Sequence, residues 1–379
     1  MAEDEAQRLE AVRLQGQAAS ARLKRGRARR PPDSRPEAGA TKTFALEIMT
    51  DSNNGHRIAF LFPGQGSQAV GMGKELAEKY PIARQTFEEA DEALGYKLSQ
   101  LCFEGPEEQL RLTEITQPAI LTTSIAILRA LEGRIPKPSY VAGHSMGEYS
   151  AHVASGTISF ADAVRTVRHR GRYMQEAVPV GVGAMAAILG MELEKVAAVC
   201  EEAAEGEVCS PANINSPEQV VISGNTAAVE RGAKLAKERG AKLAKLLPVS
   251  APFHCSLMKP AQERLEADLN KLEMQKPVYP VACNLEASLV CDEMRALATL
   301  VGQVTGSVKW LQSMQLLMGE GVDAFVEIGP GKVLCGLMRQ IDRSKTCLNV
   351  GDEATLAKAV EQLGAESVSK KMQGGDFSG

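Results

Sequence analysis

The sequence predicts an α/β fold, a large parallel-sheet body into which a smaller α+β subdomain is inserted. Three observations predict it. Short apolar runs alternate with longer amphipathic stretches along most of the chain. One segment of about 65 residues breaks that rhythm with the order β-α-β-β-α-β. The 379 residues, 44% hydrophobic and 24% charged, suffice for one large domain or two and exclude a disordered, collagenous or fibrous chain.

The two ends differ from the middle. Between Gln7 and Arg30 stand eight basic residues and one acid, Glu10. Pro31-Pro32 follows, then a polar stretch to Asn54. An Arg- and Ala-rich, acid-poor leader has the composition of an organelle transit peptide, although Ala2-Glu3-Asp4-Glu5 starts with the opposite charge. A disordered tail, or a start at Met49, fits the same residues. Residues 1–56 are therefore set apart as a leader and 364–379 as a polar, disordered tail, which leaves 307 residues from Arg57 to Leu363.

Within that body, Ile58-Ala59-Phe60-Leu61-Phe62 reads as a buried strand. Pro118 suits the first turn of a helix running to Leu131, and Ser139-Tyr140-Val141-Ala142 is a second short strand. Ser159 followed by Asp162 starts a helix over Phe160 to Glu176. The exceptional segment then reads as strand (Ala184 to Gly190), helix (Glu192 to Glu205), strand pair (Val208 to Asn225), helix (Thr226 to Gly240) and strand (Ala241 to Val249). That order is ferredoxin-like. Ala324-Phe325-Val326-Glu327-Ile328 is a late strand ending in Gly329-Pro330-Gly331. The body is thus assigned to 57–180 and 251–363 and the insert to 181–250, with a cleft between them as the expected site.

Gly143-His144-Ser145-Met146-Gly147 lies between a strand and a helix, the context a nucleophile elbow requires. The glycines permit a tight turn that lifts the Ser145 hydroxyl clear, and the Met146 amide at the helix start can face a developing oxyanion. A serine hydroxyl needs a base. Of five histidines, His56 borders the leader, His144 is inside the elbow, His152 sits where a packed or solvated ring is usual, and His169 lies in a basic run that reads as exposed. His254 remains, in the loop Ser250-Ala251-Pro252-Phe253-His254-Cys255 that follows the insert. On its helix, Arg170 shares the apolar side of Ala163, Val167 and Met174, whereas Arg165, Arg168 and Arg172 form a solvated stripe. A guanidinium on that side needs an anion, either an internal carboxylate or a substrate's.

Pro63-Gly64-Gln65-Gly66-Ser67-Gln68-Ala69 formally matches a dinucleotide-binding pattern, but Pro81 to Leu94 is helical where a second strand would be needed. The same glycines can bring the Gln65 N–H to the elbow as a second oxyanion donor.

Together, Pro63 to Gln68, Gly143 to Ala151, Arg170, Pro252-Phe253-His254 and Glu327 to Lys332 resemble the malonyl-CoA:acyl-carrier-protein transacylase family of the dissociated fatty acid synthase. The resemblance covers nearly all of the body, and neither the leader nor the tail. It implies a hydrolase-like body, Ser145 as nucleophile, His254 as base, Arg170 as holder of the free malonyl carboxylate, and Gln65 and Met146 as oxyanion-hole amides. It also implies that Gln303 orients His254 through its main-chain carbonyl, in a dyad without an acid. The implied reaction is ping-pong transfer of malonyl from malonyl-CoA to the pantetheine thiol of acyl carrier protein, with no cofactor and no metal. Phe253 before His254 resembles the malonyl-type rather than the methylmalonyl-type loop.

A polyketide-type acyltransferase and a serine hydrolase or thioesterase are the rival enzymes, and a catalytically silent carrier-binding partner is the non-enzyme alternative. An α/β-hydrolase needs its histidine near the C-terminus, whereas 125 residues follow His254. With 43 basic and 47 acidic residues the charge is too balanced for a nucleic-acid coat, and no run approaches a membrane span. Arg168, Arg172, Lys242 and Lys332 are candidate contacts for an acidic carrier protein. The expected state is a monomer. The eight cysteines, none in C-x-x-C spacing, read as reduced thiols, with Cys255 the most reactive. The leader points to a plastid stroma, with the mitochondrion or cytoplasm as alternatives.

Overall fold

The computed structural model describes residues 57–249 and 251–373. The leader 1–56 with His56, Ser250 and the last six residues lie outside the described residues, and so do the expectations attached to them. Among the described residues, ten strands form two sheets: β1 (Arg57–Phe62), β2 (Tyr140–Gly143), β3 (Gly183–Leu189), β4 (Cys209–Ser216), β5 (Gln219–Asn225), β6 (Leu243–Leu246), β7 (Val281–Ala282), β8 (Leu289–Val290), β9 (Val322–Ile328) and β10 (Thr346–Val350).

The larger sheet has the order β10-β9-β1-β2-β7-β8, parallel from β10 through β7, with β8 antiparallel at the edge. Successive strand residues point to opposite faces, so a sheet covered on both sides needs apolar residues at every position. β1 meets that demand. Ile58, Phe60 and Phe62 enter one core with Val141 and Val326, while Ala59 and Leu61 enter the other with Ala142, Phe325, Trp310 and Met314.

The smaller sheet is antiparallel with the order β4-β5-β3-β6, the strand order of a ferredoxin-like unit. Ala186, Ile188, Val220 and Ile222 pack on Val196, Val199, Val229 and Ala236 from the helices Leu193–Ala204 and Thr226–Glu238. Met185 and Val221, on the opposite face, belong to the core of the body. β4 is also hydrogen-bonded to the body: Ile214 N donates to Val308 O at 2.9 Å, and Val308 N to Ala212 O at 2.8 Å.

Two helices carry Arg170 and Gln117. Phe160–Glu176 starts as its cap predicts, with the Ser159 hydroxyl accepting the Asp162 N–H. It lies close against Thr113–Leu131, because a Cβ on Gly171 would fall 2.5 Å from the Thr113 carbonyl oxygen. Thr113–Leu131 begins five residues before the expected start, so Pro118 stands inside it. Its missing N–H forfeits one helical bond, and burial of Thr116 and Gln117 favours the extra turn. At the other end of the chain, the helix Glu353–Gln373 runs on through residues expected to be a disordered tail from 364. Polar as it is, the run from Ala365 to Gln373 has no glycine or proline to stop a helix.

Candidate active site

The elbow forms where β2 ends and the helix Gly147–Ala154 begins. Ser145 turns the corner at φ 52°, and His254 holds φ 59°. Left-handed backbone is costly for a residue with a Cβ and persists only where its surroundings impose it. For Ser145 the constraint is Asn284, just past β7. Asn284 Oδ1 accepts the Ser145 N–H at 2.7 Å, and its Nδ2 donates to Gly143 O at 2.8 Å. Sequence reasoning missed Asn284, which stands in no motif and lies 139 residues from Ser145.

The Ser145 hydroxyl is 2.7 Å from His254 Nε2. On the far side of the ring, Nδ1 is 2.9 Å from Gln303 O and 3.2 Å from Gly306 O. Two carbonyls only accept, so Nδ1 carries the proton and Nε2 is free to accept one from serine. Burial, and then the charge of Arg170, push His254 down to about 3, which keeps the ring neutral at neutral pH.

Arg170 is 1% exposed. Its guanidinium donates to Gln117 Oε1 at 2.8 Å, Gln303 Oε1 at 2.9 Å and Ser145 Oγ at 3.1 Å. The internal carboxylate left open by the sequence is not a direct partner. Instead Glu148, fully buried in the elbow helix, meets Arg170 through Gln303, whose Nε2 donates to Glu148 Oε2 at 2.6 Å and to Ser145 O at 3.0 Å. Burial pushes the Glu148 carboxyl up to about 7, against the pull of the Asn284 and Gln303 donors and the Arg170 charge.

Met146 stands at the N-cap of the elbow helix, and the amides that follow it, Gly147 and Glu148, donate back to His144 O at 2.9 Å and Ser145 O at 3.0 Å. Gln65 follows Gly64, and a Cβ on Gly64 would lie 2.5 Å from the His144 carbonyl oxygen, so the glycine lets this loop close on the elbow. His144 is tied to β4, its Nε2 being 2.8 Å from Asn215 Oδ1.

Other expectations need correction. Cys255 is not the reactive thiol: it is 1% exposed, its Sγ donates to Pro252 O at 3.1 Å, and burial raises its pKa. His152 takes the packed alternative expected for it, with neither ring nitrogen partnered among the described residues, and burial pushes it down to about 3. His169 is only partly exposed and pairs with Asp268 at 2.9 Å. Of the basic candidates for a carrier-protein surface, Lys242 and Lys332 are exposed, Lys242 lying 2.9 Å from Glu218, and Arg168 and Arg172 are partly exposed, Arg168 5.0 Å over the Tyr96 ring and Arg172 4.0 Å from Glu176. No described helix is long and apolar enough to cross a membrane.

A Ser-His pair thus lies beside a buried guanidinium, and residues 59–372 match the acyl transferase domain model, which makes the chain an acyltransferase. The Escherichia coli K12 malonyl CoA-acyl carrier protein transacylase is 48% identical over 306 residues, 80% of this chain and 99% of that protein. Its Bacillus subtilis counterpart is 49% identical over 312 residues, 82% of this chain and 98% of that one. The solved transacylase of Clostridium perfringens superposes with a TM-score of 0.81 at 42% identity, covering 83% of this chain and 99% of that one. A malonyl-transacylase solved in complex with a type II polyketide acyl-carrier protein gives 0.79 at 44% identity, covering 81% and 99%. The chain belongs to the malonyl CoA-acyl carrier protein transacylase family. These relatives also overturn the plastid expectation, since they are proteins of bacteria, which have no plastid.

Proposed function

We propose that this chain moves a malonyl group from coenzyme A to the pantetheine thiol of acyl carrier protein through an ester on Ser145. One observation carries the reading: a single oxygen, Ser145 Oγ, lies 2.7 Å from a neutral imidazole and 3.1 Å from a buried guanidinium. His254 Nε2 takes the hydroxyl proton as Oγ attacks the thioester carbonyl. The tetrahedral oxyanion is met by the N–H groups of Gln65 and Met146. As it collapses, the carbon–sulfur bond breaks, and the imidazolium returns its proton to the leaving thiolate of coenzyme A. The carrier thiol then attacks the malonyl-serine ester, with His254 again accepting the proton, and Ser145 is released in its starting form.

Arg170 pairs with the free carboxylate of the acyl group, and an acetyl unit would leave that guanidinium without its anion. Gln303 holds the His254 ring by its main-chain carbonyl. No metal or cofactor takes part in this chemistry. Residues 57–180 and 251–363 supply all of these groups, and 181–250 reaches the elbow through Asn215, whose Oδ1 is 2.8 Å from His144 Nε2. One chain contains the complete set, which supports a working monomer, and the balanced charge gives nucleic acid no purchase.

Mass spectrometry of the protein mixed with malonyl-CoA should find a malonyl adduct on Ser145 that Ser145→Ala abolishes. Absence of the adduct on the intact protein would sink the reading in favour of a silent carrier-binding protein.

A further inference from the structure

We propose that Glu148 is the positioning residue that aims Arg170 at the acyl carboxylate, acting through the side-chain amide of Gln303. This deepens the function proposed above and rests on its assignment of Ser145 and Arg170. An amide has one donating end and one accepting end. The donating end of Gln303 is committed to Glu148 Oε2 at 2.6 Å and to Ser145 O at 3.0 Å, and the accepting end receives Arg170 at 2.9 Å. Flipping this amide would set its NH2 against a guanidinium and its carbonyl against Glu148 Oε2, an oxygen whose lone pairs already accept the Asn284 N–H. Both contacts are repulsive, so Glu148 fixes which end Arg170 meets.

The carboxylate is itself anchored, its Oε2 accepting the Asn284 N–H at 3.0 Å. With Gln117 holding the other terminal nitrogen at 2.8 Å, the guanidinium plane is set at two points and lies 3.1 Å from the oxygen that will carry the acyl group. A glutamine at 148 would keep the volume and could still accept both bonds, but its own amide can rotate, and the orientation of Gln303 would no longer be forced.

The test compares two reagents for the same serine: malonyl-CoA, which needs Arg170, and phenylmethanesulfonyl fluoride, an uncharged probe that sulfonylates the hydroxyl and releases fluoride. In Glu148→Gln the ratio of malonyl kcat/KM to the sulfonylation rate constant should fall at least about tenfold, towards the ratio of Arg170→Ala. In the Arg170→Ala background the same substitution should change the ratio no further. Because each variant is read as a ratio, a loss of folded protein cancels. An unchanged ratio in Glu148→Gln, or an equal drop in both backgrounds, overturns the proposal. If Ser145→Ala still abolishes the malonyl adduct, the site reading survives that result; if it does not, the site reading fails by itself.

Discussion

Replacing Arg170 by alanine should invert the acyl preference of this protein, and the structure sets the scale. The guanidinium is 1% exposed and already spends donors on Gln117, Gln303 and Ser145. A malonyl carboxylate entering the site gives up water and regains its energy only by pairing there. Removing one partner of a buried charge pair costs about 3–5 kcal/mol. At about 1.4 kcal/mol per tenfold, malonyl kcat/KM should fall by roughly two to three and a half orders of magnitude. Acetyl transfer should move the other way, because an acetyl unit would no longer strand a buried cation. The assay is acylation of carrier protein by each coenzyme A ester, followed at several substrate concentrations. A malonyl-to-acetyl ratio within about threefold of the parent would refute the carboxylate assignment.

Gly64→Ala should leave a folded protein whose kcat falls about 10²- to 10³-fold with little change in KM, because the new Cβ would push the Gln65 amide off the elbow. Steady-state kinetics alongside circular dichroism checks this, and a parental kcat would remove Gln65 from the oxyanion hole. His152 bears on acid stability. Its folded pKa is depressed to about 3, so between there and about 6.5 the unfolded chain binds a proton that the folded one does not. Its contribution is therefore intact above about 6.5 and is lost as the pH falls. His152→Leu should flatten the dependence of unfolding free energy on pH by about 1.4 kcal/mol per unit in that window, measured by urea denaturation; an unchanged slope would mean that the ring is protonated in the fold.

Most of the architecture was legible because its causes are local. A glycine-flanked serine between an apolar strand and a helix, and a hydroxyl cap before Phe160, depend on neighbours a few residues away. Arg170 was legible for a different reason: helical phase alone put a charge on an apolar face. Helical phase could not name the partner of that charge. Asn284, Gln303 and Glu148 come together only when β7, the helix Glu293–Gln303 and the elbow helix converge, across sequence separations of 136 to 158 residues. An asparagine or glutamine has no periodic or spacing signature at that range. Gln303 entered the sequence reading for its main-chain carbonyl, yet its side chain also touches Ser145, Glu148 and Arg170. Cys255 was misjudged for the converse reason, since adjacency to a reactive residue in sequence says nothing of exposure.

The partner of His254 is a peptide carbonyl and not a carboxylate, and this bears on how long an acyl-enzyme can wait. A carbonyl orients the ring but lends no negative charge to the imidazolium, so the base is weak. A weak base discriminates among acceptors by their acidity. A thiol, with a pKa of about 8.5, needs little help to attack, whereas water, at about 15.7, needs a great deal. On the proposed path, hydrolysis of a malonyl ester would ask more of His254 than transfer to a carrier's sulfhydryl does, and what separates a transferase from a hydrolase can reside in the third member of the relay.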